Sequence, residues 1–395
     1  MHYLDHAATT PMLPEAIAAV AAEMVHVGNA SSLHTAGRRA RRVVEESRES
    51  IAEDLRVRPG DVIFTAGATE ANNLLVKGLF AARREADPRR TRVITTAIEH
   101  HALIDPVRTL IDQGAEVVEL PVDPAGRIDV EDVRAAIEVE PSSVAYLSVM
   151  WANNEVGTIQ PIEEIAAVAR EHAIPMHSDA VQAVGHLELD LSRVGLGALS
   201  LSAHKFGGPG GVGALILDRD LAVSPLIDGG GQERSVRSGT LNVAGIAGMA
   251  AALRAASASR ESRSGEIERL RQRLVDGVLQ AVPDAILNGD PTLDDKHRLP
   301  GNAHFSFPGC EGDALLLLLD AQDICCSTGS ACSAGVAQPS HVLLAMGADD
   351  EVARSSLRFS LGHTSTTADV DALVDALAPA VARARAAGDA ARSRR

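Results

Sequence analysis

The chain has 395 residues, 46% of them hydrophobic and 23% charged, with a formal net charge of −16. That length exceeds what one compact core serves and predicts two domains. The acidic balance repels phosphate backbones and argues against direct nucleic-acid binding. The N-terminal MHYLDHAATTP has no basic stretch leading into an apolar run, so it does not read as a secretory signal. The apolar run Leu315 to Leu319 is far too short to cross a membrane. Together these features predict a cytoplasmic protein with no membrane partner. Four cysteines in so long a chain are not a disulfide framework.

In chain order, a helix is expected after Pro14, a favoured first-turn residue, with Ile17, Val20, Ala21 and Met24 on one face. A second is expected from about Arg38 to Leu55, where Arg41/Glu45 and Arg42/Glu46 are spaced for ion pairs. From Asp61 to Leu217 seven short apolar, β-branched runs follow: 62–65, 93–96, 117–120, 144–149, 174–177, 198–202 and 212–217. Helical stretches such as 162–172 separate most of them. Such alternation predicts an α/β fold with a mostly parallel seven-stranded sheet, its ligands bound beyond the carboxyl ends of the strands. Ile267, Leu270, Leu274 and Val278 then align on a helix that links the large domain to a C-terminal one. The tail 382–395, ARARAAGDAARSRR, lacks large apolar residues and predicts no packed structure. The expected division is 15–255 for the large domain, with 1–14 and 256–395 forming a smaller α+β domain.

The segment LSAHKFGGPGGVGALIL (201–217) carries the strongest chemical signal. Its glycines fit G-x-G-x-x-G, but a strand follows where a dinucleotide site needs a helix, and there is no Gly-Lys-Ser/Thr of a P-loop. What remains is Lys205 at a strand end before a glycine-rich turn. A partly buried lysine there can bond an aldehyde cofactor such as pyridoxal phosphate (PLP). That cofactor needs a carboxylate for its ring nitrogen and a cup for its phosphate. Asp179, following the 174–177 run, suits the first, with Gln182 beside it for a ring substituent; a helix N-cap is the competing role for Asp179. Strand, turn and helix start in FTAGATEANN (64–73) suit the second, through the N–H groups of Ala68 and Thr69 and the Thr69 hydroxyl. Three cysteines crowd CCSTGSACSAG (325–335). Their spacing matches no zinc or iron–sulfur pattern, and the small residues before Cys332 suit a nucleophile that must reach. Cys310, Cys325 and Cys326 read as small apolar residues.

The stretches YLDHAATTP (3–11), GNASSLH (28–34), FTAGATEANN, EHHA (99–102), NNEVGT (153–158), SDAVQ, SAHKFGGPGGVG, GGGQERSVRSGT (229–240), STGSAC (327–332) and SLRFSLGH (356–363) together resemble cysteine desulfurases of the NifS/IscS type. Those are class-V-aminotransferase-like PLP enzymes of fold type I. The resemblance implies that Lys205 bonds the cofactor, that Asp179 faces its ring nitrogen, and that Gln182 and Asn154 bond the ring-side oxygen. Ala68, Thr69, Ser202 and His204 would hold the phosphate. Thr240 would reach the phosphate of the other subunit's cofactor, which requires a homodimer. His100 would stack on the ring and move protons, and Arg358, with Asn154, would bind the substrate carboxylate. Cys332 would take sulfur from L-cysteine as a persulfide and pass it to an iron–sulfur scaffold or another acceptor protein, ligating iron only in transit. The Cys325–Cys326 pair departs from that pattern and leaves open whether either cysteine accepts sulfur.

Overall fold

The computed structural model describes residues 1–294, 296–328 and 338–392, and the side chains of these up to residue 387. Among the described residues the strands are β1 (His2–Tyr3), β2 (Val62–Thr65), β3 (Arg92–Thr96), β4 (Glu116–Leu120), β5 (Val144–Ser148), β6 (Met176–Asp179), β7 (Ala198–Ser202), β8 (Gly213–Leu217), β9 (Ile286–Asn288), β10 (Asn302–Ser306), β11 (Ile324–Cys325) and β12 (Ser356–Ser360). The large sheet has the order β2-β8-β7-β6-β5-β3-β4. Only β8 runs against its neighbours, because the glycine-rich turn after β7 folds the chain straight back as a hairpin. That hairpin is why no helix follows the glycines. β8 begins at Gly213, where an added Cβ would stand 2.8 Å from Gly67 Cα, so only glycine lets the strand pass beneath the 66–69 turn.

The strand runs read from sequence lie where expected, shifted at their ends by up to two residues. Asp179 is the last residue of β6 rather than a residue beyond the strand. The helix after Pro14 spans Pro14–Met24, and the next spans Thr35–Leu55, with Arg41 Nε 3.4 Å from Glu45. A single helix of 39 residues, Val243–Ala281, joins two cores. At 1.5 Å per residue it is about 58 Å long. Ile246, Met249 and Leu253 pack into the core around the large sheet. Ile267, Leu270, Leu274 and Val278 pack with Phe305, Phe307 and Phe359 around the β12-β10-β9 sheet. Leu4, from the chain's start, joins that second core, and Leu13 joins the first. The tail corrects one expectation: the last helix, Thr367–Arg392, continues through most of it. Ala and Arg have high helix propensity, and the helix start is already packed through Leu373, Leu377 and Val381, so the tail propagates an existing helix.

Segment 229–240 is pinned to the large sheet by a buried ion pair. Arg48 on the Thr35–Leu55 helix meets Glu233 at 2.8 Å, and Glu233 also accepts the Phe64 N–H at 2.8 Å. Replacing Arg48 by Met strands a buried carboxylate. We expect a loss of about 3–5 kcal/mol in denaturant unfolding.

Candidate active site

The carboxyl ends of the parallel strands converge on one cavity of about 580 Å³. Five of these strands are followed by a short turn whose residues line it: Ala66–Thr69 after β2, His100 after β3, Asn154 after β5, Gln182 after β6, and His204 and Lys205 after β7. Ser202 and Asp179 enter it as the last residues of their own strands. Arg358 arrives from the second core, on β12. Thus Lys205, His100, Ala68, Thr69, Asn154, Asp179, Gln182, Ser202, His204 and Arg358 share one space, as the sequence implied. Thr240 does not: it stands exposed on the segment that Glu233 pins. Cys332 lies outside the described residues, although Ser327 before it and His341 after it both line the cavity.

Lys205 Nζ donates to the carbonyls of Ala7 (2.7 Å) and Ala8 (2.8 Å). Burial, then repulsion from the Arg358 guanidinium, pushes its ammonium down to about 8, against the pull of Asp5 and Asp179. The Asp179 carboxylate is 5% exposed and takes two hydrogen bonds, from the Asn72 amide at 2.7 Å and the Val181 N–H at 3.0 Å. The second bond is the capping contact weighed as its alternative role, so Asp179 caps a turn and faces the cavity at once. Gln182 donates to the Ala7 carbonyl at 3.0 Å. His100 is the N-cap of His101–Ile111, its Nδ1 accepting the Ala102 N–H at 3.0 Å. The residue is exposed and lines the cavity, and the protein packed around it holds its imidazole below the ordinary range by desolvation. His204 Nδ1 lies 3.2 Å from Thr9 Oγ1, and burial with the Lys205 charge pushes that ring down to about 4.

Several residues in the site carried no role in the sequence reading. Asn72 is one. Glu99 is another, fully buried, its Oε1 accepting from Met150 N (2.7 Å) and Thr96 Oγ1 (3.0 Å) while Oε2 has no partner among the described residues. Burial, with repulsion from Asp179, pushes its carboxyl up to about 8. The two donors favour the ionised form, but burial and the neighbouring Asp179 outweigh them and favour the acid. Glu155, also buried, accepts from Ser340 Oγ at 2.5 Å, and His341 Nε2 donates to the Glu99 carbonyl at 2.9 Å. EHHA and NNEVGT contain these glutamates, but no local pattern announces that their carboxyls are buried.

The cysteines divide by environment. Cys310 is buried in the second core. Cys326 is driven up to about 12 by burial and then by the Asp5 carboxylate, and Cys325 is also raised. Both are therefore held as thiols, the form that is poor at attacking or accepting sulfur. Among the described residues there is no group of His, Cys, Asp or Glu arranged to hold a metal ion.

The model of the aminotransferase class-V family matches residues 2–373. The chain belongs to that family. It is 59% identical to the "IscS-like cysteine desulfurase" of Mycobacterium tuberculosis (strain ATCC 25618 / H37Rv), over 99% of both chains. Among solved structures it superposes on a "NifS-like protein" with a TM-score of 0.87 at 33% identity, covering 96% of this chain and 99% of that one. It also matches "SspA in complex with cysteine" with a TM-score of 0.78 at 32% identity, covering 93% and 100%. The fold is therefore that of the fold type I PLP enzymes, and the class-V cofactor is pyridoxal phosphate.

The cavity fits that cofactor on its own evidence. The helix Ala68–Ala86 starts at Gly67 (φ 152°) with no side chain capping it. A Cβ on Gly67 would sit 3.8 Å from Ser202 Oγ, in the gap between the helix start and that hydroxyl. Uncapped N–H groups facing a hydroxyl across open space suit a phosphate. A partly neutral amine and a doubly hydrogen-bonded carboxylate complete the donor set for a class-V cofactor.

Two outcomes follow from these charges. Loading the cofactor-free protein with PLP should accelerate as pH rises through about 8, when Lys205 loses its proton. Arg358→Leu removes a repelling cation, so stopped-flow loading curves should move to higher pH. Glu99 takes up a proton on folding, so stability falls as pH rises from its unfolded value near 4.5 to about 8. Glu99→Gln should flatten that slope, raising the melting temperature at pH 8 by several degrees and leaving it nearly unchanged at pH 4.5.

Proposed function

We propose that this chain is a PLP-dependent cysteine desulfurase that converts L-cysteine to L-alanine and leaves a persulfide on Cys332. The observation that carries the reading is the convergence of Lys205, Asp179, an uncapped helix start and Arg358 on one cavity. The M. tuberculosis relative bears that name, and the SspA structure holds cysteine.

When bound, the cofactor supplies an aldehyde for the substrate amine and a protonated ring that draws electrons from the substrate α-carbon. The residues do the rest. Ala68, Thr69, Ser202 and His204 hold the phosphate, and the neutral His204 ring lets it act without adding a second cation beside Lys205. The Asp179 carboxylate, kept in place by Asn72, favours the protonated ring nitrogen, while Gln182 and Asn154 serve the ring-side oxygen. Arg358 takes the α-carboxylate. Lys205 Nζ, poised near neutrality, takes the α-proton, and the His100 imidazole faces the ring and moves protons at the thiol end. Cys332 attacks the substrate sulfur. The C–S bond of cysteine breaks and an S–S bond forms on Cys332; the thiol proton ends on the alanine methyl group. Atoms and electrons balance without an added oxidant.

Thr240 lies exposed and away from the cavity, which fits its service to a second copy's phosphate in a homodimer. The terminal sulfur then passes to an acceptor protein of iron–sulfur cluster assembly or of tRNA thiolation, in a cytoplasmic setting. Among the described residues no helix is long and apolar enough to cross a membrane.

Sulfide release from L-cysteine in the presence of a thiol reductant tests the reading, with wild type and Cys332→Ser both loaded with PLP. Wild type should turn over, and the serine variant should fall by about 100-fold or more. Equal rates would remove the persulfide step and leave a different class-V chemistry.

A further inference from the structure

Arg358 is 4% exposed and is held from two sides. Its Nη1 donates to the Asn154 carbonyl at 2.9 Å, its Nη2 pairs with Asp5 Oδ1 at 2.8 Å, and its Nε is buried with no partner among the described residues. Arg358 lines the cavity, whereas Asp5 stands behind it. Asp5 is itself fixed to the strand that carries the arginine. The 4–7 segment runs alongside β12: Ser360 N–H donates to the Leu4 carbonyl (2.7 Å), His6 N–H to the Ser360 carbonyl (3.2 Å), and Ala7 N–H to Ser360 Oγ (2.9 Å). Asp5 pairs with Ser360, which shares a strand face with Arg358 two residues away. The same short segment gives Lys205 its two carbonyl acceptors. One rigid stretch of the N-terminus thus holds both the amine and the guanidinium.

We propose that Asp5 is a positioning residue for the substrate carboxylate. Its Oδ1 fixes one edge of the Arg358 guanidinium, so that the remaining N–H of Nη1 and of Nη2 form a preset fork for an amino acid's α-carboxylate. The inference rests on the reading of Arg358 given above. A guanidinium offers five N–H donors, and the two protein contacts leave enough for a two-point grip on a planar anion. Held this way, the fork loses little side-chain freedom when the substrate arrives. Asp5 also carries a charge that opposes the incoming carboxylate, so position and charge pull in opposite directions, and substitutions can separate them.

The test is calorimetric titration of PLP-loaded protein with L-alanine and with ethylamine, an amine that lacks the carboxylate. Asp5→Asn keeps an oxygen at the Oδ1 position and removes the charge; Asp5→Ala removes both. Losing a hydrogen bond to a charged group should weaken L-alanine by about tenfold or more in Asp5→Ala. Asp5→Asn should stay within about threefold of wild type, and ethylamine should bind all three proteins alike. Thermal unfolding and cofactor absorbance accompany each protein. If Asp5→Ala does not fold, Asp5→Ser, whose hydroxyl is too short to reach the guanidinium, takes its place. Unchanged L-alanine binding in the truncated variant would overturn the proposal. So would equal losses for L-alanine and ethylamine, or an asparagine variant as weak as alanine. A wild type that binds ethylamine but not L-alanine would instead sink the role of Arg358 as carboxylate receptor, and this inference with it.

Discussion

The placement of one amine beside one guanidinium governs the rest of the site. Lys205 and Arg358 are both withdrawn from water and close enough to repel. Such a pair persists only if something answers its charge. Asp5 and Asp179 do so, one bonded to the arginine and the other to Asn72. The amine is left near neutrality and is held by two carbonyls rather than a carboxylate, so it is placed without being locked in its charged form. A carboxylate directly on Lys205 would have raised it and spoiled it as a base.

The fold supplies this arrangement through its two cores. Parallel strands end at a common edge, so turns far apart in sequence meet there, and the 39-residue helix carries the chain across to the second core. That core returns β12 with Arg358 to the same edge. The N-terminal segment closes the circuit, with Leu4 in the second core, Leu13 in the first, and the Lys205 carbonyls between them. Buried uncharged groups fill the space around the reactive ones. Glu99 is held as an acid, and His177 is a neutral link between Ser148 (2.9 Å) and Ser200 (3.0 Å) within the sheet.

Much of this was legible in the sequence, for a local reason. Lys205, Ala68, Thr69 and Asp179 sit at strand ends or helix starts, which short-range pattern announces, whereas His100, Asn154, Thr240 and Arg358, the last in the middle of β12, were reached through the family resemblance. The residues missed act through partners the pattern does not show. Asp5 meets Arg358 across most of the chain, and Asn72, on the helix after β2, meets Asp179 at the end of β6, 107 residues further on. Glu99 and Glu155 look like ordinary surface carboxylates until burial removes their water. The tail was misjudged for the opposite reason. Its composition lacks apolar anchors, but it inherits a helix nucleated upstream, where Leu373, Leu377 and Val381 are packed. Thr240 stands exposed and outside the cavity lining, so nothing local in the fold reveals what it serves.

The central claim is that Lys205 is the amine the cofactor meets. The chain makes this unusually easy to test, because it contains only three lysines, Lys77, Lys205 and Lys296. Loading the protein with PLP, reducing it with borohydride and mapping the peptides by mass spectrometry reads the claim directly. The account predicts one pyridoxyl group per chain, on Lys205, and no label in Lys205→Ala. A label on Lys77 or Lys296, or a Lys205→Ala protein labelled as fully as wild type, would contradict it.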